Sequence, residues 1–137
     1  MDDLNLINQK VNKFIDEHQA ELAEFDLIIG VSRGGLIPAT LVAAKIDKRL
    51  LVVYIDRQNN VYLDKPEWIE GKKVLLVDDI CRTGFTLSLI KKLVESANPS
   101  LLKTFTLFCL SKSTFKPNYT TFIENDLKFP WDWPRID

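Results

Sequence analysis

Between Lys73 and Thr86 the chain reads KVLLVDDICRTGFT, and the reading of this stretch decides the fold. Val74 to Val77 is apolar on both faces, as a central strand of a parallel sheet must be. The apolar run ends in two adjacent acids, Asp78 and Asp79. A short loop holding Thr83, Gly84, Phe85 and Thr86 follows. Leu87, Ile90, Leu93 and Val94 then recur at helical spacing, which predicts a helix over 86–96. A strand, a glycine-bearing loop and a helix in that order are the core of a βαβ unit.

The pattern repeats outward. Residues 25–31 form a short apolar run with a β-branched pair, Ile28 and Ile29, and stop at Ser32-Arg33-Gly34-Gly35, so a strand and a tight turn are predicted. Residues 36–46 read as a helix, with Pro38 tolerated in the first turn. Further strands are predicted at 51–55, 101–110 and 119–123. Ile7, Val11, Phe14, Ile15, His18 and Leu22 place an amphipathic helix over 4–23, with His18 as a packing residue near its apolar face. Asp56 to Gly71 reads mainly as a loop, with a short hairpin through Val61, Tyr62 and Leu63. Strands alternating with helices imply an α/β fold: one parallel sheet covered by helices on both faces. The 137 residues make one domain, and no internal repeat or second domain is visible.

The totals exclude several classes. A net charge of -1 argues against nucleic acid or an anionic membrane surface as the main partner, so an anionic ligand must be met by a local site. The apolar stretches are too short to span a bilayer. Cys81 and Cys109 form no disulfide framework, and the start, Met1-Asp2-Asp3-Leu4, lacks the features of a secretory signal. A soluble, cytoplasmic protein is expected. The lysine pairs Lys72-Lys73 and Lys91-Lys92 read as solvated faces.

The chemistry concentrates around Asp78 to Thr86. A helix N-terminus presents unpaired backbone N–H groups and the positive end of the helix dipole, which suits phosphate. Gly84 lets the backbone approach closely, and Thr83 and Thr86 add hydroxyl donors. Carboxylates repel phosphate, so Asp78 and Asp79 suit the hydroxyls of an adjacent sugar or a divalent cation. Together these groups ask for a phosphate with a diol beside it, as in ribose 5-phosphate. The Ser32 to Gly35 turn also opens a helix, and Arg33 there can hold a phosphate with two hydrogen bonds.

These residues resemble a family. VLLVDDICRTGFT is similar to the 5-phosphoribosyl-1-pyrophosphate (PRPP) signature of type I phosphoribosyltransferases, and the SRGGL run at 32–36 resembles the pyrophosphate loop of the xanthine–guanine enzymes. The resemblance implies a single phosphoribosyltransferase domain over 1–137. Its core would span about 25–110, with a small C-terminal hood over about 111–137 joined by the N-terminal helix region. It implies transfer of the phosphoribosyl group from PRPP to a nucleobase with release of pyrophosphate, Mg²⁺ as cofactor and a homodimer or tetramer. A 6-oxopurine is the expected base and purine salvage the expected context.

Asp78, Asp79 and Arg33 would be catalytic, with Asp79 holding the metal. Ser32, Gly34, Gly35, Ile80, Cys81, Arg82, Thr83, Gly84, Phe85 and Thr86 would bind PRPP. Lys112 stands where such enzymes contact the purine oxygen, and Leu127, Phe129 and Trp131 lie in the tail that covers the base. Members often hold a non-proline cis peptide in the pyrophosphate loop. The pyrophosphate itself has Arg57, Tyr62 and Lys65 within the 56–71 loop as candidates to reach it.

The sequence departs from the pattern in two places. Arg82 stands where many 6-oxopurine enzymes have an acid, and arginine cannot remove a proton at neutral pH. Aligning on Pro130-Trp131-Asp132 puts Asp126 and Leu127 where an aromatic ring would stack on the base, leaving Phe129, Trp131 or Phe122 as substitutes. Trp131 and Trp133 could equally close the core. A different base, a PRPP- or nucleotide-sensing regulator, or a hydrolase acting on a preformed nucleotide are the rival readings.

Overall fold

The computed structural model describes residues 3–132. In chain order it forms α1 (Asp3–Glu17), α2 (Gln19–Leu22), β1 (Leu27–Ser32), α3 (Leu36–Ile46), β2 (Arg49–Ile55), β3 (Val61–Leu63), β4 (Lys73–Cys81), α4 (Phe85–Glu95), β5 (Leu101–Leu110) and β6 (Tyr119–Ile123). The six strands make one sheet in the order β3-β2-β1-β4-β5-β6. All neighbours are parallel except β2 and β3, which form the hairpin expected at Val61 to Leu63. The chain is thus an α/β domain built on a mostly parallel sheet.

Alternation along the strands sends side chains to two cores. On one face Ile28, Leu75, Val77, Phe105 and Leu107 pack against Ile7, Val11 and Phe14 of α1 and Ala39 and Val42 of α3. On the other, Leu27, Ile29, Val31, Val74 and Leu76 pack against Leu87, Ile90 and Val94 of α4. Helices cover both faces, as expected. Asp26 ties the starts of β1 and β4 together: its N–H donates to the Lys73 carbonyl at 2.8 Å, and its carboxylate accepts the Lys73 N–H at 2.9 Å.

Two expectations need correction. The helix predicted over 4–23 breaks at His18, whose φ of -129° leaves the helical region. The histidine is a packing residue as expected: its ring lies 5.3 Å from Phe14 and 4.8 Å from Tyr119, and Nδ1 sits 3.1 Å from a Glu21 carboxylate oxygen. The third major strand does not end at the acids. It runs through them to Cys81, paired with β5 as far as Cys109. The tail folds back so that Phe129, 5% exposed, joins the α1/α3 core. Trp133, named above as a possible core residue, lies outside the described residues.

Phe14 and Phe105 stack at 3.8 Å across the α1–β5 contact. Phe105→Ala should therefore cost about 3–5 kcal/mol, read as a lower urea midpoint with an unchanged slope. A loss below about 1 kcal/mol would mean that the site collapses around the cavity.

Candidate active site

A cleft of about 690 Å³ opens beyond the carboxyl ends of β1, β2 and β4. The strand order reverses between β1 and β4, which is where open α/β sheets bind ligands. Val31 to Gly34, Asp56, Arg57, Asn59, Asp78 to Gly84, Thr86, Trp131 and Asp132 line it.

Adjacent residues of a regular strand point to opposite faces. Asp78 and Asp79 nevertheless both line the cleft, because β4 changes phase there. Leu75 and Val77 share a core with Ile80, not with a residue two positions after Val77; Val74 and Leu76 share the opposite core with Cys81. β5 slips in parallel, with Phe105, Leu107 and Phe108 in one core and Cys109 in the other, and its register with β6 shifts between Phe105 and Phe108. The two carboxylates satisfy nearby backbone: Asp78 Oδ1 accepts the Asp79 N–H at 2.8 Å, and Asp79 Oδ1 accepts the Ile80 N–H at 2.7 Å.

Asp79 is 6% exposed. Its second oxygen, Oδ2, accepts the Trp131 indole N–H at 2.7 Å. A side chain at position 34 would place its Cβ 2.1 Å from that same oxygen, so only glycine fits there. Arg33 follows a cis Ser32–Arg33 peptide, matching the bond expected in the pyrophosphate loop, and its Nε donates to the Trp131 carbonyl at 2.5 Å. At the other rim Gly84 adopts φ +94°, with Phe115 packed where a Cβ would sit, and opens α4. Thr83 Oγ1 accepts the Phe85 N–H at 3.2 Å, which shapes the loop around the helix N-terminus.

Arg82 reaches out of this loop to the tail. Its Nε donates to both oxygens of Asp126, at 2.8 and 3.0 Å, and its Nη2 donates to the Leu127 carbonyl at 2.8 Å. Asp132 Oδ2 lies 3.4 Å from Nη2. Burial works against the guanidinium's charge, but the hydrogen bond and charge of Asp126 outweigh it, so Arg82 stays cationic. Cys81 is buried with its Sγ 3.3 Å from Ser113 Oγ, and burial pushes the thiol up to about 11. The sulfur is therefore a packed thiol and not a nucleophile.

The structure brings most of the expected residues together but not all. Ile80 to Gly84, Thr86, Ser32, Arg33, Gly34, both acids and Trp131 line the cleft. Gly35 lies just beneath, with its α-carbon so close to the Val31 and Val77 carbonyls that a Cβ would stand 2.7 Å from each. Phe85 is 60% exposed and outside the lining, and so is Phe122 on β6. Lys112 is exposed beyond β5 and is not in the lining. Phe129 stacks against Trp131 at 4.8 Å and is covered by it, while Leu127 contributes its carbonyl to Arg82. Of the 56–71 candidates Arg57 lines the cleft; Tyr62 stacks loosely with Tyr54 instead, and Lys65 precedes a short turn of helix. Asp56, Asn59 and Asp132 line the cleft without having been anticipated. Their signal is positional only: Asp56 adjoins Arg57, Asp132 adjoins Trp131, and Asn59 lies two residues beyond Arg57.

Two helix-opening loops meet at paired acids beyond the carboxyl ends of an open α/β sheet, the place where such sheets bind their ligands. Residues 2–135 match the phosphoribosyl transferase domain, and the chain belongs to that family. It is similar to the xanthine-guanine phosphoribosyltransferase of Chromohalobacter salexigens, 30% identical over 126 residues, covering 84% of this chain and 74% of that protein. It is also 30% identical over 94 residues to the orotate phosphoribosyltransferase of Sulfurisphaera tokodaii, covering 66% of this chain; it spans only 46% of that protein's length. The crystal structure of a purine phosphoribosyltransferase from Pyrococcus horikoshii superposes with a TM-score of 0.80 at 26% identity, covering 96% of this chain and 93% of that one. No helix among the described residues is long and apolar enough to cross a membrane.

Loss of water around Asp78, reinforced by the charge of Asp79, pushes the Asp78 carboxyl well above its usual 3.8. The folded chain therefore holds this proton more tightly than the unfolded chain does. Below 3.8 both states are protonated and no penalty exists; as pH rises above 3.8 the unfolded chain ionises first and stability falls. Asp78→Asn, which keeps an acceptor for the Asp79 N–H, should be more stable than the parent near neutral pH. The gain should vanish as pH approaches 3.8 in urea titrations, and equal stability at both pH values would contradict this.

Proposed function

We propose that the chain transfers the 5-phosphoribosyl group from PRPP to a nucleobase, a 6-oxopurine, and releases pyrophosphate. The observation that carries this reading is the convergence of Asp78 and Asp79 with both helix-opening loops on one cleft. The similarity to proteins named xanthine-guanine and purine phosphoribosyltransferases supports it.

The 5-phosphate would sit on the backbone N–H groups of Cys81 to Phe85, with the hydroxyls of Thr83 and Thr86. Arg82 would contribute its N–H here, not its side chain, which is committed to Asp126. Asp78 and Asp79 would hold the ribose hydroxyls. Arg33, Ser32 and the amides of Gly34 and Gly35 would hold the pyrophosphate, with Arg57 across the cleft. Residues from about 111 onward, with the N-terminal helix region, would form the hood over the base, and Trp131 would lie under it.

Among the described residues no group of three or more His, Cys, Asp or Glu could hold a metal alone. The donor set nevertheless fits Mg²⁺, which binds through one or two carboxylates and takes its remaining oxygens from substrate and water. Asp79, with Asp78 beside it, would hold the ion, which when bound neutralises charge on the departing pyrophosphate. The rest of the task falls to the chain. It positions the base nitrogen against the ribose C1, keeps water out beneath the tail and supplies donors to the leaving group.

The base is the finer part of the proposal. Arg82 in place of an acid and the occupied position at Asp126 favour a second reading, in which another base is accepted. The similarity to the orotate enzyme is consistent with that.

Pyrophosphate release from PRPP and Mg²⁺ should be measured separately with guanine, xanthine, hypoxanthine, adenine, uracil and orotate. Release that requires guanine, xanthine or hypoxanthine supports the proposal; release with another base alone moves the reading to that base. PRPP binding without release under any base would favour a sensing regulator. Asp79→Asn should lower kcat about a hundredfold or more with an unchanged circular dichroism spectrum. Activity like that of the parent would sink the site assignment.

A further inference from the structure

One guanidinium ties the phosphate loop to both ends of the tail. Arg82 stands between Cys81 and Thr83, so its backbone belongs to the loop that opens α4. Its side chain grips Asp126 with a two-oxygen contact, Leu127 through the carbonyl, and Asp132 more distantly. The tail is organised around the same carboxylates. Asp126 Oδ1 also accepts the Leu127 N–H at 2.8 Å, and Asp132 Oδ2 also accepts the Phe129 N–H at 2.8 Å. The Asp132 N–H in turn donates to the Phe129 carbonyl at 3.0 Å. Between these two anchors the chain places Trp131, whose indole N–H and carbonyl bond to Asp79 and Arg33.

The tail therefore touches the cleft through Arg33, Asp79 and Arg82. Of these, Arg82 contacts both its start and its end. A planar guanidinium spreads its donors over separate nitrogens in a fixed plane and so reaches acceptors on different sides; the three donors of a lysine radiate from one nitrogen and cannot span them. Exposed single ion pairs contribute little, but here one guanidinium joins two carboxylates and a carbonyl in a small network, the setting in which such pairs count.

We propose that the Arg82 side chain is a positioning group for the base: it clamps residues 126–132 over the cleft, and sets the place of Trp131, without the guanidinium itself touching PRPP. The two departures from the family pattern, at 82 and at 126, then have one cause. The loop position carries the cation and the tail position the acid, so the base-end wall is held by a salt-bridged clamp in place of a stacked ring. The effect on base binding rests on the transfer reading above; the effect on the tail does not.

The experiment compares the parent with Arg82→Met, Arg82→Lys, Asp126→Asn and the reversed pair Arg82→Asp/Asp126→Arg. Hydrogen exchange of the Leu127, Phe129 and Asp132 amides is read first, in the free protein. Arg82→Met and Asp126→Asn should each speed it about tenfold, the scale of losing a charged hydrogen bond. Arg82→Lys should recover little, and the reversed pair should recover part. Kinetics follow with PRPP and whichever base is turned over. KM for the base should rise about tenfold in Arg82→Met, while KM for PRPP stays within about twofold.

Unchanged exchange at these amides overturns the clamp, as does a rise in both KM values together, which would make Arg82 a phosphate ligand. If the parent turns over no base, the transfer reading fails, and the exchange rates alone decide the clamp.

Discussion

A buried carboxylate must be met by donors, and Asp79 is where that requirement organises this protein. One oxygen takes the N–H of Ile80 and holds β4 in its shifted phase; the other takes the indole N–H of Trp131 and draws the tail across the cleft. Gly34 exists as glycine because this carboxylate fills the space above it. Three segments far apart in sequence, at 32–35, 78–86 and 126–132, thus meet at a single side chain. The shape of the cleft follows from how they meet.

The arrangement works against stability at the same point. Burial, reinforced by the charge of the adjacent Asp79, pushes the Asp78 carboxyl well above its ordinary range. A fold selected for stability alone would place an amide or an apolar residue here. A perturbed acid in a cleft is where ligand chemistry is expected, and a diol or a cation beside the two carboxylates would ease their repulsion. The cost is met locally by the two large cores, which enclose the sheet from both faces.

Local pattern was legible where physics is local. The helix over 36–46 and the strands at 101–110 and 119–123 follow from periodicity and proline placement and stand as read, whereas the loop read over 83–86 is shorter, because α4 opens at Phe85 directly after Gly84. The break at His18 was not legible: the apolar spacing continues through it to Leu22, and the ring's neighbour Tyr119 comes from a distant part of the chain. Nor was the phase change at Asp78, because an apolar run broken by acids looks the same whether the strand stops or shifts. Arg82 is the clearest case. Its position marked a departure, but its partner Asp126 lies far along the chain and only the fold joins them. Lys112 shows the converse: a place matched by resemblance, at a strand end, that the cleft does not include.

The central claim is that the loop from Cys81 to Thr86 receives the 5-phosphate. Isotope-labelled protein titrated with ribose 5-phosphate tests it most directly, with the backbone amide signals followed residue by residue. Saturable shifts largest at Thr83, Gly84, Phe85 and Thr86 are the predicted result. Binding that leaves these amides unmoved while shifting others would contradict the account, and so would the absence of any binding at millimolar ligand.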